Sequence, residues 1–484
     1  MSLSQKGLSS KNLRGCIMFK FLGHKEGPKR IHFIGIGGVG MSSLAMILHS
    51  LGHKVSGCDI NKSKYTEMLE KQGIKVYYQH DEAHLKKIDV VVYSSAISQD
   101  NPELSKAKEM GIWVIPRAQM LAEVMNLYPK SIVVAGSHGK TTTTSMIAEM
   151  LLKLDKSPTV VVGGIITNIK THSLLGKGDY LIAEADESDG SFLCYNPYIE
   201  VITNIDVEHL DFYADFNAIK KAFINFIKKC SPEGKVILCG DDPGIKEVLQ
   251  EIRGPFLLYG FSADNQLRAE ILDEDEGYPL VKVMFKEKVL GQMRLSIPGK
   301  HNVCNALAAI GVGLELALPI KQVIEILQEF KGAGRRLEHK GFWRGSVLID
   351  DYAHHPTEIK ASLEALRKVY KDKKIVLVFQ PHRYTRTKFL WDKFLLVLKE
   401  PDILVLTEIY PASENPIPGV SGFILFENLK NLRGGKPTFF GENLEKVKEF
   451  LEEIVDENQV VITMGAGNIY KLHRLILESD ERKN

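Results

Sequence analysis

The stretch VVAGSHGKTTTT (133–144) is an apolar run followed by a glycine-rich turn and a polar segment. The turn ends in Gly139, Lys140 and Thr141, as the phosphate-binding motif GxxxxGK[ST] does, although its first glycine is Gly136 rather than position 134. In such a turn backbone N–H groups bind phosphates, the lysine neutralises a transferred phosphoryl group and the hydroxyl binds Mg²⁺. A plain strand–helix turn would not explain a lysine that opposes the helix dipole. The stretch therefore predicts a nucleoside triphosphate site between a strand and a helix.

A second glycine turn lies about a hundred residues earlier, in IHFIGIGGVGMSSLAMIL (31–48). Gly35, Gly37 and Gly40 form Gly-x-Gly-x-x-Gly between a predicted strand and a predicted helix, a pattern that lets backbone N–H groups approach a diphosphate. Asp59 follows at the end of the next strand, where a ribose-binding acid belongs. By itself this pattern predicts an NAD site, with a tight packing turn or another nucleotide diphosphate as alternatives.

Apolar strand-like runs alternate with helical patterns along almost the whole chain, which predicts doubly wound, parallel α/β sheets. The rhythm restarts at SIVVAGS (131–137) and at SVLIDDYAHHP (346–356), the second time after the glycine-rich basic joint KGAGRRLE (331–338). We therefore predict three domains: an N-terminal Rossmann-like domain, a central P-loop ATPase-like domain with a mostly parallel sheet, and a C-terminal Rossmann-like domain. Their predicted ranges are 30–122, 123–332 and 333–484, after a basic, disordered tail at 1–29.

The composition limits the partners that the chain can have. A length of 484 residues exceeds what one hydrophobic core supports, and a net charge of +2 gives no global field for nucleic acid or a membrane surface. No apolar run approaches the ~18 residues of a membrane span. The six cysteines form no Cys-x-x-Cys pair, so neither a zinc site nor a disulfide framework is expected, and a reducing cytoplasm fits.

Acidic clusters follow two predicted strands of the central domain, in IAEADESDGSF (182–192) and NIDVEHLDFY (204–213). Because the carboxyl ends of parallel strands converge on one crevice, both clusters can reach phosphates held by Lys140. Mg²⁺ takes one or two protein carboxylates together with phosphate oxygens, and Glu184 suits that role. The alternative is that these acids form a solvated surface loop.

The third domain contributes DDYAHHPTE (350–358) and FQPHRYTRT (379–387), again just after strands. Arg383 and Arg386 in one loop can grip a carboxylate through paired hydrogen bonds, or they can belong to a solvated basic loop. The sequence contains no Gly-x-Ser-x-Gly elbow that would predict a serine hydrolase.

Eight motifs follow one another in the order typical of the Mur ligase family, so the chain resembles that family over residues from about 30 to 475. The motifs are GIGGVGM, GSHGKTTTT, EADESDGSFL, NIDVEHLDFY, PGKHNVCNALAA, GRRLE, DDYAHHPTE and QPHRYTRT. They most resemble the members that join L-alanine to UDP-N-acetylmuramate. The resemblance implies that the first domain binds the UDP-sugar, the second ATP and the third the amino acid.

The resemblance also implies the site residues. For the UDP-sugar they are Gly35, Gly37, Gly38, Gly40, Met41, Asp59, Ser94 and Arg117. For ATP they are Gly136, Ser137, His138, Gly139, Lys140, Thr141, Thr142, Asn302, Asn305, Arg336 and Asp351. For the amino acid they are His355, His382, Arg383 and Arg386. The expected ligands of Mg²⁺, which Mn²⁺ could replace, are Thr141, Glu184 and His209, and the expected catalytic residues are Lys140, Glu184, His209, Arg383 and Arg386.

The activity that the resemblance implies is an ATP-dependent amide ligation through an acyl phosphate. The expected partners are UDP-N-acetylmuramate, L-alanine and ATP. Three rivals remain open at this point: a recycling ligase that joins a tripeptide to the same sugar, an NAD-dependent oxidoreductase, and a P-loop motor or switch. The oligomeric state and the choice among L-alanine, L-serine and glycine are not readable, since a methyl-sized pocket discriminates by only about 1–3 kcal/mol.

Overall fold

The computed structural model describes residue 22 and residues 27–166, 171–412 and 414–481. The predicted disordered tail lies outside these residues, except for Leu22, which is buried, and residues 27–29. Within the described ranges, no helix combines the length and the apolar character needed to cross a bilayer. The described chain forms three α/β units, each built on its own sheet.

The first sheet has five parallel strands in the order β3-β2-β1-β4-β5. Its strands are β1 (Arg30–Ile34), β2 (Lys54–Cys58), β3 (Lys75–Tyr77), β4 (Val90–Tyr93) and β5 (Trp113–Pro116). Its helices are α1 (Val39–Ser50), α2 (Lys64–Lys71), α3 (Pro102–Glu109) and α4 (Arg117–Met125). The chain winds to opposite sides of β1, so the glycine turn after β1 lies where the strand order reverses, which is where doubly wound sheets bind ligands.

The second sheet has ten strands in the order β15-β14-β13-β12-β11-β10-β6-β9-β7-β8. They are β6 (Lys130–Ala135), β7 (Thr159–Ile166), β8 (Thr171–Leu174), β9 (Tyr180–Glu184), β10 (Ile199–Ile202), β11 (Lys235–Cys239), β12 (Phe256–Gly260), β13 (Leu267–Asp273), β14 (Leu280–Phe285) and β15 (Lys288–Arg294). The helices are α5 (Lys140–Lys153), α6 (Phe216–Ile227), α7 (Pro243–Leu249), α8 (Lys300–Glu315) and α9 (Ile320–Gln328). The centre is parallel, and antiparallel pairs occur at both edges.

The third sheet has the order β16-β17-β21-β18-β19-β20, and only β16 runs antiparallel to its neighbour. Its strands are β16 (Glu338–Trp343), β17 (Ser346–Asp351), β18 (Lys374–Phe379), β19 (Ile403–Thr407), β20 (Thr438–Gly441) and β21 (Gln459–Met464). Its helices are α10 (Pro356–Val369), α11 (Tyr384–Phe389), α12 (Trp391–Val397), α13 (Gly422–Leu432), α14 (Leu444–Ile454) and α15 (Lys471–Glu481). The predicted three-domain α/β architecture is confirmed, and the exact domain borders at 122/123 and 332/333 stay a prediction.

The helices that follow the two glycine turns begin at a glycine without a side-chain cap, as α8 does at Gly299. The N-cap of α1 is Gly38 and that of α5 is Gly139, and neither helix receives a side-chain cap. By contrast, Asp215 caps α6 and Ser421 caps α13 through side-chain oxygens. A glycine N-cap leaves the first N–H groups of a helix available to a ligand, and the helix dipole favours an anion there.

The apolar core is divided unequally among the three units. One continuous cluster joins the first and second units, from Ile31 and Leu44 in the first to Val133 and Leu307 in the second. The third unit has separate clusters of its own on the two faces of its sheet. No described core cluster spans the second and third units, which meet through the polar contacts described below and through the packing of α10 against Gly277.

Candidate active site

Two positions in the turn after β6 accept only glycine. Gly136 has φ +127°, and a Cβ built there would lie 2.2 Å from the Thr203 hydroxyl oxygen. Gly139 has φ +79°, and its Cβ would lie 2.7 Å from the Asn305 side-chain oxygen. Both conformations are unfavourable for other residues, and both added carbons would clash. The two glycines of the motif are therefore needed for the observed backbone conformation of the turn.

The same turn is held in place from the neighbouring strand β10. His138 N–H donates to Asn204 Oδ1 at 2.8 Å, and Asn204 Nδ2 donates back to the His138 carbonyl at 2.9 Å. Thr203 Oγ1 also donates to the His138 carbonyl, at 2.5 Å. Sequence reasoning missed Thr203 and Asn204 as supports of the turn; the available signal was that Asn204 begins the acidic motif at 204–213 and Thr203 directly precedes it.

Lys140 points back into the turn and is paired with an acid. Its Nζ lies 2.9 and 3.0 Å from the two carboxylate oxygens of Glu187 and donates to the carbonyls of Gly136 and Ser137 at 2.5 and 3.2 Å. Burial by itself lowers the pKa of Lys140, but the carboxylates around it, chiefly that of Glu187, outweigh burial and raise the pKa above its usual value. The lysine is therefore a fixed cation at the phosphate turn.

The predicted metal ligands fall into two adjacent groups. Thr141 Oγ1 lies 3.0 Å from Glu184 Oε1, at the end of β9. His209, which has φ +55°, groups instead with Glu187 and Glu208, and one ligand atom from each of the three lies within 4.8 Å of the others. The oxygen-rich donor set fits a hard divalent cation. Glu187 and Glu208 were not among the predicted ligands, although both stand in the acidic motifs.

A cavity of about 390 Å³ opens beside the turn, between the second and third units. Most of the predicted ATP-binding residues line it, namely His138, Gly139, Thr142, Asn302, Asn305, Arg336 and Asp351. Sequence reasoning missed several further lining residues, including Asp241, Asp242, Tyr259 and His301. These residues come from β11, α7, β12 and α8, and no local motif connects them. The cavity size suits a nucleotide, since small-molecule sites enclose about 300–1,000 Å³.

The two adjacent arginines at the joint after α9 point in different directions. Arg335 donates from Nε to Asp350 at 2.8 Å and from a terminal nitrogen to the Gly465 carbonyl at 2.7 Å, so it fastens the third sheet. Arg336 lines the cavity and lies 3.6 Å from Glu358. The placement of Arg336 therefore agrees with its prediction as an ATP-binding residue, and its role in binding stays a proposal.

His138 is the centre of a polar network that joins the second and third units. Its ring nitrogens lie 3.1 Å from Asp206 and 3.3 Å from Glu358, and its ring centroid is 4.7 Å from that of His355. Thr357 Oγ1 donates to Asp206 at 2.7 Å across the same boundary. Burial lowers the pKa of His138, but the two carboxylates outweigh burial and raise it to about 10, whereas burial and His138 lower the pKa of His355 to about 4.

The predicted amino-acid residues reach the acidic motif at 204–213 from the third unit. Arg386 lies 2.8 Å from Glu208, and Arg383 lies 3.1 Å from Asp211. His382 accepts from Arg386 through Nδ1 at 3.0 Å, and burial and the neighbouring cations lower its pKa to about 2. His355 is fully buried and lies with His138 rather than with this group. The structure therefore places three of the four predicted residues together.

The first glycine turn collects most of the residues predicted for the UDP-sugar. Gly37 N–H donates to Asp59 at 2.9 Å, so this acid supports the turn, and its role in ligand binding stays a prediction. A Cβ built at Gly35 would lie 3.3 Å from Ser94, and one at Gly40 would lie 3.1 Å from the Arg117 guanidinium. Gly38 begins α1 in the same turn, whereas Met41 is buried in the core.

Three family models match successive parts of the chain. They are "Mur ligase family, catalytic domain" over residues 30–129, "Mur ligase middle domain" over 134–313 and "Mur ligase, glutamate ligase domain" over 335–467. A protein from Aquifex aeolicus named UDP-N-acetylmuramate–L-alanine ligase is 47% identical over 447 residues, which cover 92% of this chain and 97% of the relative. The chain belongs to the Mur ligase family.

Solved Mur ligase structures agree with this assignment. The crystal structure of UDP-N-acetylmuramate–alanine ligase from Thermotoga maritima is 30% identical, with a TM-score of 0.80, and the match covers 94% of this chain and all of that one. A murein peptide ligase from Psychrobacter arcticus shares the fold with a TM-score of 0.70 at 23% identity, over 93% of this chain and 98% of that one. A relative from Persephonella marina with the same name as the Aquifex protein is 47% identical over 92% of this Mur ligase chain and 95% of its own.

Proposed function

We propose that this Mur ligase joins L-alanine to the lactyl carboxylate of UDP-N-acetylmuramate, with ATP as the co-substrate. The products are UDP-N-acetylmuramoyl-L-alanine, ADP and phosphate, in the synthesis of peptidoglycan precursors in the cytoplasm. The names of the relatives from Aquifex aeolicus and Persephonella marina support this substrate set.

The observation that carries the proposal is the meeting of the phosphate turn of the second unit and the arginine loop of the third unit at one crevice. The Lys140 turn faces the acidic motifs of the second unit, and Arg383 and Arg386 of the third unit contact those same motifs. A ligase that brings together a nucleotide, a sugar carboxylate and an amine needs this convergence, because its reactants start on separate domains.

The reaction we propose has two chemical steps. The lactyl carboxylate attacks the γ-phosphorus of ATP, giving an acyl phosphate and ADP, and the amine of L-alanine then attacks the carbonyl carbon and releases phosphate. The first step brings two anions together, and Lys140 with the uncapped start of α5 stabilises their charge. Closure of the third unit over the crevice would exclude water from the acyl phosphate.

We propose Thr141, Glu184 and His209, joined by Glu187 and Glu208, as the residues that would hold Mg²⁺. Their oxygen-rich donor set and their place beside Lys140 support this assignment. When bound, the ion would neutralise phosphate charge. In the ligand-free chain, Glu187 is occupied by Lys140 and Glu208 by Arg386, so these acids must change partners when the cation arrives.

Three histidines near the crevice are poorly suited to act as the base that deprotonates the amine. Burial lowers the pKa of His209, but Glu187 and Glu208 outweigh it and raise the pKa, so His209 is a poor base in the ligand-free chain. His355 is fully buried away from the arginine group. His382 is neutral near pH 7, but its lowered pKa of about 2 makes it a weak proton acceptor, and its Nδ1 already accepts a hydrogen bond from Arg386.

The test measures phosphate release with ATP and Mg²⁺ while UDP-N-acetylmuramate and L-alanine are added separately and together. We expect release only when both are present, with a product heavier by one alanyl residue in mass spectrometry. A parallel arm replaces L-alanine with the tripeptide that a recycling ligase would use. Rapid release with ATP alone would reject the ligase, and turnover of the tripeptide in preference to L-alanine would reject the choice of amine.

A further inference from the structure

A cluster of metal-ligand side chains lies in the first unit, away from the nucleotide crevice. Cys58 ends β2, His80 follows β3, and Glu103 lies in the first turn of α3. Their three polar atoms form a closed triangle, with Cys58 Sγ 3.2 Å from His80 Nδ1, Cys58 Sγ 2.7 Å from Glu103 Oε2, and His80 Nδ1 2.9 Å from Glu103 Oε2. Cys58 and Glu103 are fully buried.

The second oxygen of Glu103 is held separately by two more imidazoles. His84 Nδ1 lies 2.7 Å from Oε1, and His32 Nε2 lies 3.4 Å from the same oxygen. The His84 ring is fixed in turn by stacking on Tyr77, with ring centroids 3.8 Å apart. These contacts orient the Glu103 carboxylate so that Oε2 faces Cys58 and His80, which is the role that outer partners play around metal ligands.

We propose that Cys58, His80 and Glu103 bind one Zn²⁺-class divalent ion. A thiolate with an imidazole selects a borderline or soft metal over Mg²⁺, and a carboxylate completes a three-ligand set with water in the fourth position. His80 provides the path to solvent, since 21% of its side chain is exposed. On binding, the Cys58 thiol releases its proton to solvent and the hydrogen bonds to Glu103 Oε2 are replaced by metal bonds.

The triangle is slightly smaller than a loaded site requires. Metal–ligand distances of about 2.0–2.3 Å imply separations between ligand atoms of roughly 3.3–3.6 Å in a tetrahedral site. The observed edges of 2.7–3.2 Å must therefore widen by about 0.4–0.8 Å, a shift that side-chain torsions can supply.

Metal binding at this place would fasten three segments around the first glycine turn. Asp59, whose carboxylate accepts from Gly37 N–H, directly follows Cys58 in the chain. An ion on Cys58 therefore fixes the end of β2 against α3 and the segment after β3. We infer a structural role, stabilising the turn without contact to the reacting groups.

The test uses the full chain, stripped with a chelator and titrated with Co²⁺. The wild-type protein is expected to show the intense near-ultraviolet charge-transfer band of a thiolate–Co²⁺ bond, and Cys58→Ser is expected to lose it. Cys239→Ser is the matched control and should keep the band, because Cys239 is likewise a buried cysteine that ends a parallel strand. The Glu187, Glu208 and His209 group contains no thiol and cannot give this band.

Zinc content and thermal unfolding complete the experiment. We expect about one Zn²⁺ per chain after loading of the wild type, background content in Cys58→Ser, and a higher melting temperature with Zn²⁺ for the wild type only. If Cys58→Ser does not fold, His80→Asn at the partly exposed edge replaces it and should weaken the Co²⁺ band. A wild-type chain without the band would overturn the proposal and leave a hydrogen-bonded cluster only, as would a band that persists in Cys58→Ser.

Discussion

The ion pair between Lys140 and Glu187 is the single contact on which most of the proposed chemistry depends. Both side chains are largely shielded from water, so the pair is held by charge in a poorly solvated setting. Removing one partner leaves the other charge buried and unpaired, which is costly to the protein. Substitution of Lys140 therefore affects catalysis and local stability together, and the two effects need separate measurements.

We predict that Lys140→Ala lowers the rate of phosphate release at least about 100-fold, because the cation that stabilises the developing phosphoryl charge is gone. Lys153→Ala is the matched control, since Lys153 ends the same helix and pairs with Glu149 and Glu329 on its outer side. Steady-state kinetics and thermal unfolding of both variants give the comparison. Near-normal turnover of Lys140→Ala in a folded protein would contradict the phosphate assignment.

A pH-dependent contribution to stability is expected from His138. Its pKa in the folded chain is raised to about 10 from 6.5, so the protonated ring stabilises the fold fully below pH 6.5 and loses this effect as the pH rises toward 10. The difference in melting temperature between the wild type and His138→Gln, measured without nucleotide, should therefore shrink over this interval. The exposed His339→Gln gives the control series, and a constant difference for His138→Gln would refute the expectation.

Residues that interact across long separations in the chain were the ones that sequence reasoning missed. Lys140, Thr141 and Glu184 could be selected because the phosphate motif and a strand end identify them locally. Glu208 could not be distinguished from its acidic neighbours, because its partner Arg386 is 178 residues away. Asp59 was predicted correctly to lie at the glycine turn, but its bond to Gly37 N–H depends on how two strands are placed side by side.

At the scale of elements, the strand–turn–helix units at β1–α1 and β6–α5 could be predicted because each lies within one short stretch of sequence. Each consists of a buried strand, a glycine turn and a helix without a side-chain cap, and all three parts can be read within about twenty residues. The antiparallel hairpin of β14 and β15 was not predicted. Its turn uses Lys286 and Glu287, both with positive φ, instead of the Asn-Gly or Asp-Gly pair that signals a hairpin.

We predict that Gly139→Ala lowers the free energy of unfolding by about 1–3 kcal/mol and weakens ADP binding, since it forces a side chain into a left-handed conformation. The added carbon would also approach Asn305 to 2.7 Å. Gly313→Ala in the last turn of α8 is the matched control, because its Cβ meets neighbours only at ordinary distances of 3.4 Å or more. That control should stabilise the protein by about 0.5–1 kcal/mol, as alanine replaces glycine within a helix. Chemical unfolding and ADP titration distinguish the two, and equal effects would contradict the strain argument.

At the scale of the whole molecule, the division of the core determines what can move. The first and second units share one apolar cluster. The third unit shares none with the second, and the contacts between them include those of Arg383, Arg386, Thr357 and His138. Polar contacts can exchange partners at lower cost than an apolar core can be opened. We therefore expect the third unit to change its position relative to the first and second units during the catalytic cycle.

We predict that Arg386→Ala shifts the ligand-free enzyme toward a more open arrangement, because it removes the buried contact to Glu208. The measurement is the radius of gyration from small-angle X-ray scattering, which should increase. Arg367→Ala is the control, since Arg367 pairs with Asp402 inside the third unit and touches no other unit through that contact. An unchanged radius for Arg386→Ala would show that this pair does not hold the units together.

The ion pair between Lys140 and Glu187 has a consequence for the form of ATP that the enzyme binds. Glu187 already neutralises the lysine, so an arriving nucleotide finds little unbalanced positive charge there. A metal-free triphosphate would have to displace the Glu187 carboxylate from Lys140 without supplying a new cation for that carboxylate. A nucleotide bound to a divalent cation provides both partners together, since its phosphates can pair with Lys140 and its cation with Glu187. We therefore expect the phosphate turn to bind the metal complex of ATP in preference to the bare nucleotide.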